Sequence, residues 1–452
     1  MRVKQILVAA AILAMAIQLG SAQDPPDKPL TLADAVGFAL KRNPEIMVAQ
    51  YELDELKGKI TEVRSGAFPQ ITFQGYGIRL RDPSILNSSS FDKVPQEFKD
   101  ALVPVASNMF DLGLNVKQPL INAGKVRTAL RLAEESLAEK AASREAVRQQ
   151  LTFRVFQTFH DLLLAEANRD LARETYQQRV KHLEQARGRF NNGVATEIDV
   201  LRSEVNVANL EPDLIRADSR VRLARAALNA LIVADLEAPT RITGTLEYRP
   251  WAVVSLEEIQ RKTLELRPEL QAARKLVQQA RLTQSLANAE NKLTVDLEGQ
   301  WGYSVRQPKN FFNNDFSRWN ITFNFKLPLF DSGRKSGLKV QASSRLHAAE
   351  QRVAQLENNI RLEVKQAYDD MQSSAKAIAA ARLNVGQAEK VLSMMQANYQ
   401  YGAATTLDVV DSQTALLVAR NSQISATYEY EMAKARLRLA SGSPILDEEV
   451  NR

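Results

Sequence analysis

"RFNNGVATEIDVLRSE", from Arg189 to Glu204, has a near twin in "NYQYGAATTLDVVDSQ", from Asn398 to Gln413. Gly193 matches Gly402, Ala195 matches Ala404, Thr196 matches Thr405, and Asp199-Val200 matches Asp408-Val409, each 209 positions apart. Both stretches interrupt a long helix-favouring run. A glycine there lets the backbone reverse with positive φ. Thr196 and Thr405 are placed to cap the helices that follow, and Asp199 and Asp408 fall in their first turns, where the helix dipole favours a carboxylate.

The repetition extends both ways. "LINAGK" (Leu120 to Lys125) matches "LFDSGR" (Leu329 to Arg334). Upstream, "LTLADAVGFALKRNPEI" (Leu30 to Ile46) resembles "VSLEEIQRKTLELRPEL" (Val254 to Leu270), with Pro44-Glu45 aligned on Pro268-Glu269, 224 positions apart. The length difference falls in the segment around Arg81 to Met109. A period this long means two copies of one large unit. Each copy reads as a short helix capped by Thr31 or Ser255, a second helix restarted at Pro44 or Pro268, two strands, a helix of about 65 residues, the glycine turn and a return helix of about 40. This predicts a first repeat over residues 23–236, a linker over 237–254, a second repeat over 255–441 and a tail over 442–452.

The strands decide the environment. "LTVDLEGQWGYSV" from Leu293 sets Leu293, Val295, Leu297, Trp301, Tyr303 and Val305 against Thr294, Asp296, Glu298, Gln300 and Ser304. "WNITFNFKL" sets Trp319, Ile321, Phe323, Phe325 and Leu327 against Asn320, Thr322, Asn324 and Lys326. "LGLNVK" (Leu112 to Lys117) alternates more weakly, and "ITFQGYGI" (Ile71 to Ile78) changes phase near Gly75, which predicts a bulge. Long strands with an aromatic-rich apolar face opposite a polar one fit a membrane β-barrel. A soluble sheet with one buried face is the competing reading. Four strands cannot close a barrel, and an open edge in lipid leaves backbone groups unpaired, so the barrel must be shared between chains. Two copies would give about eight strands and three about twelve; only the latter leaves a lumen for the polar face. The long helices carry apolar residues at three- and four-residue steps (Val126, Leu130, Ala133, Leu137, then Val147, Leu151, Val155), as in coiled-coil packing.

Arg2 and Lys4, the apolar run Ile6 to Ile17 and the small residues Gly20 and Ala22 read as a cleaved signal peptide over residues 1–22. The run is too short to span a membrane. With no cysteine, thiol chemistry and a lipid on an N-terminal cysteine are excluded. The formal charge of +6 is spread along the chain without a basic stripe, which argues against nucleic acid. His160, His182 and His347 have no partners at metal spacing and are expected on solvated helix faces. No nucleophile elbow or phosphate loop occurs, so neither an enzyme nor a cofactor is expected.

The duplicated strand–strand–long helix–turn–return helix unit resembles the TolC family of outer-membrane efflux and secretion channels. The turn "YQYGAATTLDVVDS" (Tyr399 to Ser412) and the strand exits "QPLINAG" and "LPLFDSG" carry the resemblance. It implies a mainly α protomer with a membrane β part, in a homotrimer. Four strands per chain would enter a shared twelve-stranded barrel in outer-membrane lipid, and the long helices would form a periplasmic α-helical barrel. It implies an exit duct for substrates delivered by an inner-membrane transporter through a periplasmic adaptor protein. The tip turns (Gly193, Thr196, Asp199, Tyr399, Gly402, Thr405) would then dock the adaptor, Asp408 and Asp411 would constrict the periplasmic mouth, and Asp296, Glu298, Asn324 and Lys326 would face the lumen. Ala404 stands where some family members carry an arginine that ties the closed tips, so this chain either lacks that tie or makes it from another residue, for which Arg189 and Arg202 are the candidates. The alternative is a non-conducting periplasmic tether.

Overall fold

Proline and a few capping side chains set the helix boundaries. The computed structural model describes residues 29–81, 92–98, 107–251 and 255–446; the expected signal peptide, part of the linker and residues 447–452 of the tail lie outside the described residues. Helix α1 (Leu32–Arg42) starts at Thr31, whose hydroxyl accepts the Asp34 N–H at 3.2 Å while the Asp34 carboxylate accepts the Thr31 N–H at 3.1 Å. The corresponding helix of the second repeat, called α5 below (Leu256–Leu266), starts at Ser255. Each short helix ends two residues before a proline, because proline pushes its predecessor out of the α region: Asn43 and Arg267 have ψ of 128° and 115°. Pro44 then opens α2 (Pro44–Ser65), and Pro268 opens α6 (Pro268–Asn288).

The remaining elements are β1 (Gln70–Leu80), β2 (Ser107–Ile121), α3 (Lys125–Asn191), α4 (Glu197–Ile232), β3 (Thr294–Val305), β4 (Ser317–Lys326), α7 (Arg334–Gln400) and α8 (Thr406–Ser441). Helices α3 and α7 are 67 residues each, roughly 100 Å at 1.5 Å per residue. Both start within one residue of the position read from the glycine after each strand exit.

The chain forms two compact units. One, Glu52–Glu139 with Ala273–Arg352, holds the strands and the starts of α3 and α7. Its antiparallel sheet has the order β1-β2-β3-β4, with β1 and β4 at its edges. The register aligns the four apolar patterns on one face: Phe73 faces Leu114, Leu114 faces Trp301, and Trp301 faces Trp319, while Leu297 faces Phe323. Trp319, Ile321, Phe323 and Phe325 are all exposed.

The bulge expected near Gly75 is not there. β1 pairs with β2 residue for residue from Gln70 to Leu80, and the irregularity lies at Pro119–Ile121 of β2. The phase change has another cause. Gly75 and Gly77 occupy apolar-face positions and lack side chains because Leu112 and Phe110 fill that space; a Cβ on either glycine would lie 3.0 Å from its partner's ring or methyl carbon. Tyr76 and Ile78 therefore lie on the polar face.

A second feature of this unit is a node at the strand-to-helix junction. Glu290 accepts from Lys125 at 2.8 Å and from Arg334 at 3.0 Å, so one carboxylate holds the first turns of α3 and α7. Asp331 caps α7 by accepting the Gly333 and Lys335 N–H groups at 3.0 and 2.9 Å.

The other unit holds α1, the long parts of α3 and α7, and the return helices. Cross-helix contacts give the row α4–α3–α8–α7: Arg187 to Glu204 at 2.6 Å, Tyr428 to Asp161 at 2.5 Å, and Arg420 to both Glu174 (2.9 Å) and Glu389 (3.1 Å). Each repeat builds its own core from the three- and four-residue apolar steps. Leu151, Val155, Phe159 and Leu162 of α3 pack with Ala35 and Ala39 of α1 and Leu228 of α4. Ile360, Val364, Met371 and Ile378 of α7 pack with Leu270 of α6 and Tyr430 and Leu437 of α8. The residue before each proline closes a return helix. Asn43 donates to Leu231 O at 3.1 Å, and Arg267 donates to Ala440 O at 2.7 Å, satisfying carbonyls a helix end leaves open.

The linker is anchored at both ends. Leu30 pairs with Ile242 in a parallel bridge, buried Asn229 bonds Ala238 O and Thr240, and the Tyr430 hydroxyl accepts the Trp251 N–H at 3.0 Å.

Candidate functional site

Two places gather the residues singled out in the sequence: the hairpin tips and the polar face of the sheet.

At the tips, Gly193 and Gly402 have φ of +71° and +73°. Neither has a neighbour where a Cβ would sit, so glycine is required by the backbone alone. Thr196 and Thr405 then build matching capping boxes. Asp199 Oδ2 accepts from the Thr196 N–H (3.1 Å) and hydroxyl (2.8 Å); Asp408 Oδ2 accepts from the Thr405 N–H (2.8 Å) and hydroxyl (2.7 Å). Hydrogen bonds from Thr196 hold the Asp199 carboxyl below the usual aspartate range, helped by the Thr406 hydroxyl and the charge of Arg202. Those from Thr405 do the same for Asp408. The Asp408 carboxylate is thus turned back on its own helix start. Asp411, one turn on, is exposed, and its charge acts on Arg179.

The two tips touch within one chain. Arg189, near the end of α3, donates to Tyr399 O at 3.2 Å and lies over the Tyr399 ring at 4.5 Å. The Tyr399 hydroxyl is 3.4 Å from Thr406 Oγ1. Of the two arginines considered for a tie, Arg189 reaches the other hairpin, whereas exposed Arg202 acts on Asp199 of its own helix.

The sequence reading missed two residues here. Arg179 is buried and donates to Thr414 Oγ1 at 2.9 Å and Val410 O at 3.4 Å. His182 is 5% exposed, against the solvated face expected of it. The three-residue spacing puts it on the Arg179 stripe, and that stripe is covered by the second hairpin, which lies more than 200 positions away. His160 is likewise half-buried, stacked on Phe156 at 4.0 Å; His347 is exposed beside Glu350.

On the sheet, Asp296, Glu298, Asn324 and Lys326 share the polar face: Asp296 faces Asn324 and Glu298 faces Thr322. Lys117 of β2 joins them, 3.0 Å from Glu298 and 3.8 Å from Asp296. Arg318 of β4 reaches Asp111 of β2 at 2.5 Å, across the whole width of β3. Asp111 is 4% exposed. No described helix is long and apolar enough to cross a membrane.

The comparisons bear on the family and the fold. The family model described as "Outer membrane efflux protein" matches residues 36–233 and 260–443, one segment per repeat. The outer membrane protein TolC of Vibrio cholerae is 25% identical over 426 residues, covering 91% of this chain and 90% of that protein. The alkaline protease secretion protein AprF of Pseudomonas aeruginosa is 25% identical over 342 residues, 74% of this chain and 69% of that protein. The crystal structure of the CmeC outer membrane channel of Campylobacter jejuni shares the fold, with a TM-score of 0.79 at 18% identity over 91% of this chain and 85% of that one. The chain belongs to the outer membrane efflux protein family.

Proposed function

We propose that this outer membrane efflux protein is the outer-membrane exit duct of a tripartite efflux or secretion system, passive in itself. One observation carries the reading: the four-stranded sheet has one aromatic-rich exposed face, one charged face, and unpaired edges at β1 and β4. In lipid those edges must pair, and β1 of one copy is antiparallel to β4 of the next. Three copies close a barrel of about twelve strands with Asp296, Glu298, Asn324 and Lys326 toward the lumen. The hairpins extend into the periplasm. There the tips at Gly193 and Gly402, with Thr196, Asp199, Tyr399 and Thr405, meet a periplasmic adaptor, and Asp408 and Asp411 line the mouth. An inner-membrane transporter supplies the driving force and chooses the cargo.

A periplasmic tether without conduction is the other reading, and the apolar sheet face argues against it because a tether has no use for one. The test is the mass and conductance of the purified protein. A homotrimer that conducts in planar bilayers supports the duct; a water-soluble protein that does not conduct refutes it.

A further inference from the structure

The contact between the two hairpins is built on a row of nitrogen-bearing side chains. Arg179, His182 and Arg189 of α3 all face the second hairpin. The His182 ring lies 5.8 Å from the Tyr399 ring, and Tyr399 in turn lies under Arg189. The packing leaves polar atoms stranded. His182 Nε2, Arg179 Nη1, Arg189 Nε and Gln413 Oε1 are buried without a hydrogen-bond partner. Each such atom costs free energy that hydration would return, so the contact between the hairpins is weaker than its packing alone would make it.

Burial and the Arg179 charge act on the ring, and no carboxylate is bonded to it; the titratable groups around it come from three helices. On α3 they are Arg179 and Lys181; on α7, Glu389 and Tyr399; on α8, Asp411 and Arg420. Glu389 accepts from Arg420 at 3.1 Å, and the Asp411 charge acts on Arg179. A polar cleft of about 490 Å³ lined by His182, Gln413 and Glu389 runs alongside. A small displacement of α3 would therefore put the imidazole in water.

We propose that His182 is the acid-sensitive element of the clasp between the two helical hairpins: its neutral ring is accommodated between α3 and α7, and its protonation drives the hairpins apart. The direction follows from the environment. Burial, and then the neighbouring Arg179 charge, hold the imidazole below its usual range. In separated hairpins the ring regains its ordinary value. The clasp is then at full strength above that ordinary value, about 6.5, and is lost as pH falls through the depressed one. The clasp rests on the fold; its consequence, a mouth that loosens in mild acid, rests on the exit-duct reading.

The test reads the clasp without transport. The chain has no cysteine, so spin labels on Leu201→Cys of α4 and Leu407→Cys of α8, both exposed, report the separation of the hairpins in the purified full-length protein. Between pH 7.5 and pH 4.5 the distance distribution should lengthen and broaden, reversibly. His182→Gln and His182→Phe should each hold one distribution at both pH values. A parent whose distances do not move with pH, or variants that move as the parent does, would overturn the proposal. Because neither outcome depends on conduction, failure here leaves the duct reading standing.

Discussion

Gly113 and Gly302 face each other across β2 and β3, and neither position leaves room for a Cβ. A Cβ on Gly302 would lie 2.3 Å from Leu112 O, and one on Gly113 would lie 2.7 Å from Trp301 O. Arg318 pairs directly with Gly302 and reaches over this bare strip to Asp111. The glycines thus serve both the close strand approach and the passage of the arginine. Gly302→Ala should abolish assembled, heat-resistant oligomers on gels. Gly299→Ala, three residues away with open space at its Cβ, should keep them. Equal yields for the two would contradict the close approach.

Phe323 and Asn324 test which face meets lipid. Phe323→Arg should impair membrane insertion, at a cost of about 2–4 kcal/mol near the midplane, whereas Asn324→Arg should assemble normally. The measurement is the yield of membrane-inserted protein for each variant, and equal yields would refute the assignment.

Glu290 predicts a pH-dependent stability term. Hydrogen bonds from Lys125 and then Arg334 hold its carboxyl below the usual glutamate range. A depressed carboxyl contributes stability above its ordinary value and loses it as pH falls through the depressed one. Glu290→Gln should lower stability at pH 7 by about 1 kcal/mol, since both ion pairs are partly exposed. The difference in thermal midpoint from the parent should shrink progressively as pH falls below the ordinary glutamate value. A difference unchanged with pH would mean the node acts by packing instead.

The tip glycines should matter for docking more than for assembly. Gly193→Val or Gly402→Val forces a β-branched residue into the left-handed region, costing about 1–2 kcal/mol locally. Oligomers should form, while crosslinking to the adaptor and export in cells should both fall. Full export by both variants would exclude the tips as the docking surface.

Asp408 and Asp411 should set the charge of the mouth. Three residues apart on α8, they share a face, and copies around an axis would stack as acidic rings. Because Thr405 engages the Asp408 carboxylate, Asp411→Asn should weaken cation selectivity more than Asp408→Asn, and the double variant most. Single-channel recording with multivalent cations measures this. Unchanged selectivity and block in the double variant would remove both residues from the pore.

What the sequence determined by itself was governed by local rules. Thr196 with Asp199 and Thr405 with Asp408 are capping boxes whose donors and acceptors lie within four residues. Pro44 and Pro268 restart helices by local sterics, and the 209-residue repeat exposed the duplication. Strand alternation separated Phe323 from Asn324 because a pleat has period two. The tertiary structure decided what depends on distant partners. The phase change at Gly75 read as a bulge because Leu112, which fills the space of the missing side chain, lies on another strand. His182 read as solvated because the helices that bury it follow in the second repeat. The Arg189–Tyr399 contact, the Glu290 node and the Asp111–Arg318 pair each join residues set by pairing register and helix order. No local pattern encodes those distances, since they arise only when the two copies pack against each other.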